Sequence, residues 1–350
     1  MTQRAFMLLA KGGRAEVTTR PIPSPQGNQA LVKVTAAAVN PIDCKIVSPG
    51  MPFITQYPAV LGIDAAGVVE SVGPDVTTFK KGDRVLFQGQ FQPSDVATFQ
   101  QYTLGDTDAM ALTPDNITDD QASTIPLASS TALFGLFQKS GLAFPESGPT
   151  ASGESIFIFG GGGSSVGQYG IQFARIAGFK AIATTANARH KEHLKLLGAT
   201  HIYDRDVTLE AIESELSLPF DRVFDAVPTP TSQALGVELL TTPSAAGGHY
   251  GTVRPLADEF KAKLEAQATT YHAVFGSSQT DKPLSIPYWR ILTQWLKEDK
   301  FVPNNVQLVP GGLGGIPQAM ELSAKGVSGV KLVVRPQEKT CPIASLCSSR

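Results

Sequence analysis

The spacing of apolar residues divides the chain into two parts with different periods. Up to about residue 125, short runs alternate apolar and polar positions between Gly and Pro, as in Ala30–Val39 and Ala65–Val72. A period of two is typical of half-buried strands. Turn residues between such runs, for example Lys81-Gly82-Asp83, indicate hairpins. The pattern predicts an antiparallel sheet or a partly open barrel.

From Ala122 onward, helical periodicity alternates with short buried strands. Helices are predicted over residues 122–140 and Tyr288–Asp299, and a last strand over Lys331–Val334. The alternating segments between them are Ser155–Phe159, Val166–Ala177, Lys180–Thr185, His190–Leu197, His201–Tyr203, Leu209–Leu216, Val223–Ala226, Ser232–Leu240, Gly248–Val253 and His272–Phe275. This alternation predicts βαβ units and a parallel, doubly wound sheet, so the fold class is α/β.

Composition narrows the classes of function. The 350 residues are enough for two domains, and the net charge of −2 provides no basic surface for nucleic acid or an anionic membrane. No apolar run reaches the roughly 18–20 residues that span a bilayer, and the first apolar stretch, of about five residues, is predicted to be a strand rather than a secretory signal. Three cysteines cannot form a disulfide framework, so a reducing cytosol is expected. The polar tail 336–350 is predicted to be disordered.

A Gly-rich turn is the most informative segment. Four large apolar residues after Ser155 predict a strand buried on both faces, and the Gly/Ser run Gly160–Gly167 leads into a helical pattern. At such a helix N-terminus, backbone amides can approach a pyrophosphate. The run lacks a strict G-x-G-x-x-G spacing, so its evidence comes from its place between a buried strand and a helix.

The end of the next strand bears on the choice between NAD and NADP. NAD enzymes usually carry an Asp or Glu there, about 20 residues after the turn, which binds the ribose 2′-hydroxyl. The segment Ala183–Lys191 contains no acid, while Asn187 and Arg189 offer hydrogen-bond donors to a 2′-phosphate. The sequence therefore predicts NADPH; the alternative is that Arg189 and Lys191 are simply solvated.

The chain resembles the quinone oxidoreductase branch of the medium-chain dehydrogenase/reductase superfamily, and within it the fungal trans-acting enoyl reductases. The resemblance runs from about Ala30 to Arg335, and the order and spacing of its motifs carry it. Those motifs are Val39–Lys45, Tyr57–Gly67, Gly82–Val85, Pro114–Asn116, Thr131-Ala132, the Gly160–Gly167 turn, Leu197–Ala199, Gly247–Tyr250, Val274–Gly276 and Ser328–Arg335.

This resemblance implies a GroES-like substrate domain, formed by residues 1–125 and 287–335, and a Rossmann domain over 126–286 that binds NADPH. It implies a monomer or homodimer and an enoyl substrate, either a free small molecule or one bound to the acyl-carrier domain of a polyketide synthase. Membranes and nucleic acids are not expected partners.

Zinc-dependent relatives need a Cys and a His-Glu pair in the first domain. No His precedes His190, Cys44 is the only Cys before Cys341, and Gly62-Ile63-Asp64 stands where zinc enzymes carry Gly-His-Glu. We therefore expect no metal. Cys44 is interpreted as a small buried residue rather than a nucleophile. Without a Lewis acid, reduction of an activated C=C bond is favoured, because hydrogen-bond donors can hold the resulting enolate.

The resemblance also implies roles for individual residues. Lys45 is the expected catalytic donor, with a surface lysine as the alternative. The substrate-binding residues are expected to be Ser129, Ser130, Thr131, Phe275 and Gly276, although the first three could instead cap a helix. The cofactor-binding residues are expected to be Ile42, Asp43, Lys45, Ser164, Ser165, Val166, Gly167, Asn187, Arg189, His190, Arg205, Val274, Phe275, Val330 and Lys331.

Some alternatives stay open at this point. Arg205 stands where relatives often carry a Tyr, and the register of Gly160–Gly163 is ambiguous by one residue. Tyr57, Tyr250 and Tyr288 are either proton donors or packing residues. A non-catalytic NADPH-binding protein of the same fold is the alternative function.

Overall fold

The computed structural model describes residues 1–47, 53–242 and 247–339. Their contacts divide the chain into two units. Unit 1 comprises Met1–Pro126, Asn305–Val327 and the described residues from Lys331, and unit 2 comprises Leu127–Asn304 with Ser328–Val330. Cys341, Cys347 and the part of the predicted tail beyond residue 339 lie outside the described residues.

The strands are β1 Thr2–Leu8, β2 Ala15–Pro21, β3 Gln29–Val39, β4 Ala59–Val60, β5 Asp64–Val72, β6 Arg84–Gln88, β7 Tyr102–Asp106, β8 Met110–Leu112, β9 Ser155–Phe159, β10 Ala181–Thr185, β11 His201–Tyr203, β12 Arg222–Asp225, β13 His249–Thr252, β14 Thr270–Ala273, β15 Asn305–Leu308 and β16 Val330–Val334. The helices are α1 Pro41–Ile46, α2 Asp119–Ala122, α3 Pro126–Phe137, α4 Ser165–Ala177, α5 Lys191–Leu197, α6 Leu209–Glu213, α7 Pro230–Thr241, α8 Asp258–Ala266, α9 Lys282–Lys297 and α10 Ile316–Lys325.

Unit 1 is built on an antiparallel sheet in the order β15-β16-β3-β5-β6-β8, with β7 also paired to β3. The inward-facing residues of the alternating strands, among them Val32, Val34 and Phe87, form its buried core. A smaller sheet, in the order β2-β1-β4, completes the strand pairing. The period-two pattern of the sequence therefore gave the right class of structure for this unit.

The first residues after β16 are held by hydrogen bonds, although the sequence predicts disorder from Pro336. The Gln337 side chain donates to the carbonyl oxygens of Val34, at 2.9 Å, and Gln101, at 2.7 Å. Arg335 forms a bidentate pair with Asp120. These contacts bring 336–339 onto unit 1, because a polar segment can be ordered by backbone acceptors as well as by apolar burial.

Unit 2 contains a parallel sheet in the order β11-β10-β9-β12-β13-β14. Every side chain from Ile156 to Phe159 in β9 is buried, as expected for a central strand covered on both faces. The alternating strands and helices of the sequence thus form the doubly wound α/β arrangement, and the predicted fold class is confirmed.

The long helix α9 belongs to unit 2, whereas the sequence interpretation placed residues 287–335 with the first domain. Its Trp295 packs against Phe144 and Phe173 with ring centroids 5.6 and 6.3 Å apart, and Tyr288 packs against Phe173 at 5.5 Å. These aromatic contacts fix the helix on α4 and on the segment between α3 and β9 of the same unit. Periodicity shows that a helix has an apolar face, but it does not show which domain covers that face.

Candidate cofactor site

The carboxyl ends of the unit 2 strands meet along one edge of the sheet. The strand order reverses between β9 and β12. After β9 the chain adds β10 and β11 on one side, and after β12 it adds β13 and β14 on the other. Open α/β sheets bind ligands outside the carboxyl ends of their strands at such a switch point. Gly160 and Val227 follow these two strands, and a Cβ added to Gly160 would lie 2.4 Å from the Val227 side chain. The Gly-rich turn therefore begins at the switch point.

The turn delivers the N-terminus of α4 to this edge. Ser164 is the N-cap, and its side-chain oxygen accepts a hydrogen bond from the Gly167 amide at 3.3 Å. Ser165 and Val166 form the first turn and are half-exposed. The structure settles the register left ambiguous by the sequence: β9 ends at Phe159, and Gly160–Gly163 precede the cap. The four predicted pyrophosphate residues, Ser164 to Gly167, are thus consecutive at a helix N-terminus, where amides and dipole favour an anion.

Glycine is required within the turn because the next strand passes close to it. A Cβ on Gly161 would lie 2.2 Å from Thr184 Oγ1, and one on Gly162 would lie 2.5 Å from the Ala186 Cβ. Both distances are shorter than any normal non-bonded contact. Gly161 and Gly162 are themselves buried, so the absence of side chains allows the turn to pack closely against the end of β10.

Basic side chains lie beside this turn. Asn187 and Arg189, after β10, are exposed, and the Asn187 side chain accepts a hydrogen bond from the Arg189 amide at 3.2 Å. Arg205, after β11, is also exposed, and its guanidinium lies near Gly163, within 3.5 Å of where a Cβ would be. Three of the residues predicted to bind the cofactor are therefore gathered at the carboxyl edge, as a set of donors for an anion.

His190 is packed into the same corner rather than exposed like its neighbours. Its Nε2 atom accepts a hydrogen bond from Arg189 Nε at 3.2 Å and lies 2.9 Å from the Ser328 hydroxyl. The Gly329 amide donates to the Gly163 carbonyl at 3.3 Å, which fastens the segment 328–330 to the turn. Sequence reasoning missed Ser328, although it lies in a motif that carried the resemblance, because nothing local indicates its contact with His190.

The segment after β14 contributes apolar surface to the same edge. Val274 is half-exposed, and its amide donates to the Thr252 carbonyl at 2.7 Å. Phe275 is 54% exposed, and Val227, after β12, is 49% exposed. These two apolar side chains lie just beyond the carboxyl ends of their strands and offer a surface that suits a planar aromatic ring. A Cβ on Gly276 would lie 2.1 Å from Thr131 Oγ1, so these two predicted residues are in contact.

Two predicted substrate residues have other partners. The Ser129 hydroxyl accepts a hydrogen bond from the Tyr288 hydroxyl at 2.6 Å, and Ser130 Oγ lies 3.1 Å from Ser278 Oγ. Both serines are fully buried. Their hydroxyls join α3 to α9 and to the segment before it, which differs from the expected contact with substrate. Thr131 is half-exposed and donates to the Leu127 carbonyl at 2.7 Å.

The candidate tyrosines are occupied by structural contacts. The pKa of Tyr288 is raised well above its ordinary value, chiefly by burial. Tyr250 donates to Asp225 at 3.1 Å, and burial followed by the Asp225 charge raises its pKa. Tyr57 donates to the Ile54 carbonyl at 3.2 Å. Buried phenols with raised pKa values are poor proton donors, so packing is the better description of Tyr250 and Tyr288.

In unit 1, a buried charge cluster anchors α1. Asp43 accepts a hydrogen bond from the Asn40 amide at 2.7 Å, forming a capping box, and Asn40 Nδ2 donates to Asp64 at 2.8 Å. Lys331 Nζ donates to Asn40 Oδ1 and lies 3.3 Å from Asp64 Oδ2. Burial, and then the nearby Asp64 charge, raises the pKa of Asp43 to about 7.

This cluster changes the interpretation of two predicted cofactor residues. Asp43 is fully buried and the Lys331 side chain is only 6% exposed. Asp43 caps α1 and Lys331 pairs with Asp64, because buried charges need partners. A side-chain contact with the cofactor, as expected from the sequence, has no support at these two positions. Val330, the neighbour of Lys331, is half-exposed at the start of β16.

The other α1 residues named in the sequence analysis are more accessible than Asp43. Lys45 is exposed and Ile42 half-exposed. Cys44 is half-buried, with its sulfur 3.3 Å from the Met320 carbonyl, and burial raises its thiol pKa. A raised pKa keeps Cys44 protonated near neutral pH, which agrees with its interpretation as an unreactive residue. The cap at Asn40 and Asp43 therefore presents Lys45 on a fixed short helix.

The described residues contain neither a metal-ligand cluster nor a membrane-spanning helix. Within 1–47, 53–242 and 247–339, no group of three or more His, Cys, Asp or Glu side chains is arranged to hold a metal ion. In those same ranges, no helix combines the length and apolarity needed to cross a membrane.

Comparison with known proteins identifies the family. Residues 26–115 match the alcohol dehydrogenase GroES-like domain, and residues 165–252 match the zinc-binding dehydrogenase domain. Dehydrogenase azaJ of Aspergillus niger is 31% identical over 95% of this chain and 99% of its own length. Trans-enoyl reductase tndF of Aspergillus flavipes is 30% identical over 95% and 98%. The chain therefore belongs to the medium-chain dehydrogenase/reductase superfamily.

Solved structures agree with this assignment. An alcohol dehydrogenase superfamily protein from Novosphingobium aromaticivorans is 25% identical, covers 94% of this chain and 99% of its own, and superposes with a TM-score of 0.79. The quinone oxidoreductase from Coxiella burnetii, 24% identical, shares the fold with a TM-score of 0.75 over 96% and 99%. The chain is an oxidoreductase of the reductase type that uses a nicotinamide cofactor. The Gly-rich turn of unit 2 fits that cofactor, and so does the basic corner beside it, which is formed by Arg189 and Arg205.

Proposed function

We propose that this reductase uses NADPH to reduce C=C bonds conjugated to a carbonyl group, without a metal ion. Enoyl thioesters, enones, enals and quinones are the substrate class. The observation that carries the proposal is the basic corner beside the Gly-rich turn, where Arg189 and Arg205 are exposed. Guanidinium groups bind phosphate through paired N–H donors, and a carboxylate, which would favour NADH, is missing from the sequence Ala183–Lys191.

The metal-free mechanism is supported by the partners of Asp64. This residue follows Gly62-Ile63 at the position of the Glu in the Gly-His-Glu of zinc enzymes, and the His is replaced by Ile63. Asp64 is fully buried, bonded to Asn40 and paired with Lys331. An ammonium group beside this carboxylate opposes a second cation at the same place, because like charges in a buried site repel.

The residues of the chain position the cofactor and stabilise the charge that develops on the substrate. When bound, NADPH supplies the hydride that adds to the carbon β to the carbonyl. The amides of Ser165 and Val166 hold the pyrophosphate, and Phe275 provides an apolar surface for the ring. The Lys45 ammonium stabilises the negative charge that develops on the carbonyl oxygen. A proton from solvent then adds to the α carbon. The Tyr250 and Tyr288 hydroxyls do not supply it, because both are buried and hydrogen-bonded, to Asp225 and Ser129 respectively.

The proposed partner is an acyl-carrier domain of a polyketide synthase. Three similar proteins are named as trans-enoyl reductases: himH of Aspergillus japonicus, tndF of Aspergillus flavipes and ACTTS2 of Alternaria alternata, at 29–30% identity. A free small enone is the alternative substrate. Rates with the same enoyl thioester on a carrier domain and on a short thiol will distinguish them, since only carrier recognition gives a preference for the first.

The cofactor assignment is tested by binding. Arg189→Ala should weaken NADPH binding by about 1–3 kcal/mol, as loss of a charge-assisted contact does, and leave NADH binding almost unchanged. Lys191→Ala, which removes a neighbouring exposed cation, is the matched control and should have a smaller effect. Equal losses for both cofactors would contradict a 2′-phosphate contact at Arg189.

Measurement of turnover distinguishes the proposed reductase from the alternative, a non-catalytic NADPH-binding protein. Absorbance at the nicotinamide band, followed with an enone or quinone, should fall with NADPH much faster than with NADH. Tight NADPH binding without oxidation by free enones, quinones or carrier-bound enoyl thioesters would favour the non-catalytic alternative.

A further inference from the structure

His190 is one of the expected cofactor-binding residues, and its packing is more specific than a simple contact with the cofactor requires. Its ring lies between Gly162 and Gly329: a Cβ on Gly162 would lie 3.2 Å from the ring carbon Cδ2, and one on Gly329 would lie 2.6 Å from Cε1. Glycine on both sides lets the imidazole fit between the Gly-rich turn and the segment 328–330. The ring is thus fixed at the corner where Arg189 and Arg205 are exposed.

The hydrogen bonds define the protonation state of this ring. Arg189 Nε can only donate, so His190 Nε2 accepts and carries no proton. The Ser328 hydroxyl, 2.9 Å from the same Nε2, must then also donate. Two donors on one nitrogen are compatible only with a neutral imidazole whose proton is on Nδ1. A proton arriving at Nε2 would displace Arg189 and turn Ser328 into an acceptor.

Burial and basic neighbours together favour the neutral form of the ring. Burial lowers the pKa of His190 most, followed by the charges of Arg189 on its own turn, His193 on α5 and Arg205 after β11. These are the titratable and charged groups that act on it. All of them disfavour a further positive charge. The protonation of His190 therefore depends on whether an anion is present to offset the arginines.

We propose that His190 takes up a proton from solvent when the 2′-phosphate of the cofactor binds beside Arg189 and Arg205, and so acts as a proton-linked determinant of NADPH specificity. The inference rests on the proposed NADPH preference. A phosphate monoester brings about −1.5 to −2 charges, which offset most or all of the positive charge of the two arginines. Protonated Nε2 donates a hydrogen bond, and Arg189 Nε, released from the ring, becomes available to the phosphate.

Proton uptake has a consequence for cofactor choice. By linkage, a ligand that raises the protonation of a site binds more tightly as the pH falls. An average uptake of about half a proton between pH 8 and pH 6 corresponds to about a tenfold gain in affinity for the phosphate-bearing ligand. NADH lacks the 2′-phosphate, so its affinity should not follow this trend.

The experiment uses the full chain and two adenosine ligands, 2′,5′-ADP and 5′-AMP, so that its result does not depend on activity. Calorimetric titrations at pH 7 in two buffers of different ionisation enthalpy give the number of protons bound. His190→Gln keeps an acceptor without a titratable ring, and the phosphate's own titration cancels in the difference from the wild type. His193→Gln, which removes the neighbouring histidine, is the matched control.

With 2′,5′-ADP, we expect the wild type and His193→Gln to take up about half a proton more per bound ligand than His190→Gln does, whereas with 5′-AMP the three proteins should not differ. Equal uptake in the wild type and in His190→Gln would overturn the proposal. Should His190→Gln fail to fold, the wild type labelled at histidine carbons gives a second measurement by NMR, and an unchanged His190 protonation on adding 2′,5′-ADP overturns the proposal equally.

The two proposals fail in different ways. Tight 2′,5′-ADP binding without a contribution from His190 overturns the proton linkage and leaves the NADPH assignment intact. Absence of any preference for 2′,5′-ADP over 5′-AMP overturns both, because the linkage then has no phosphate to respond to.

Discussion

Replacing Lys331 with Met tests the buried charge cluster of unit 1. The Lys331 side chain is 6% exposed, Asp64 is fully buried, and their charged atoms are 3.3 Å apart. At an effective dielectric constant of about 20, that separation corresponds to an attraction of about 5 kcal/mol. Removing one partner leaves the other buried and unpaired, so Lys331→Met should destabilise unit 1 by about 3–5 kcal/mol.

The double variant Lys331→Met/Asp64→Asn is the matched control. It removes both charges, so it should recover much of the loss, as replacement of a whole buried pair often does. Both tryptophans, Trp289 and Trp295, lie in α9 of unit 2, so their fluorescence serves as an internal reference. Hydrogen exchange of amides in β3 and β16, which pair in unit 1, reports the effect itself. A loss below about 1 kcal/mol, or no recovery in the double variant, would refute the reasoning.

Three further outcomes are expected. Lys45→Ala should lower kcat by roughly 10- to 1,000-fold with an enone and NADPH, as loss of a donor to developing charge does. The melting curve should not change, because Lys45 is exposed. Unchanged kcat and KM would show that Lys45 is only a surface residue. Elemental analysis of the purified chain should find well under one zinc per chain, and chelators should leave activity intact; stoichiometric zinc lost together with activity would overturn the metal-free proposal. Burial, aided by His272 and Arg222, lowers the pKa of His249 to about 3. Because the folded chain then binds fewer protons than the unfolded chain, the free energy of unfolding of unit 2 should fall as the pH drops below about 6.5 and continue to fall toward 3. Urea unfolding followed by tryptophan fluorescence from pH 7.5 to 4.5 measures this, and a slope equal to that of His249→Gln would contradict it.

Local patterns predicted much of the parallel sheet, because the alternation of short strands and helices is visible in the residues of each segment. The segments Ser155–Phe159 and His201–Tyr203 coincide with β9 and β11, and the helix predicted over Val166–Ala177 begins one residue earlier, at Ser165. The helix α8 went unpredicted. Its apolar face consists mainly of Phe260 and Leu264, too few positions to establish a helical period.

The candidate site was predicted where its chemistry is local. Ser164 to Gly167, Asn187 and Arg189 follow strands whose carboxyl ends must lie at one edge of a parallel sheet. Lys331 was assigned from its place in a family motif, and Ser129 and Ser130 from their position next to the Thr131-Ala132 motif. Their partners Tyr288, Ser278, Asn40 and Asp64 come from distant parts of the chain, so no local pattern could show that these polar groups are already engaged.

The sequence by itself determined the α/β class, the Gly-rich turn at a helix N-terminus and the basic end of the second strand of that unit, because each depends on residues within a few positions of one another. Only the tertiary structure shows which distant polar residues pair with each other. Asn40 and Lys331 are 291 positions apart in the sequence, and His190 and Ser328 are 138 positions apart. Burial makes an unpaired polar group costly, and the partner that satisfies it is whichever residue the fold brings within hydrogen-bonding distance. Such a partner can be identified only in three dimensions.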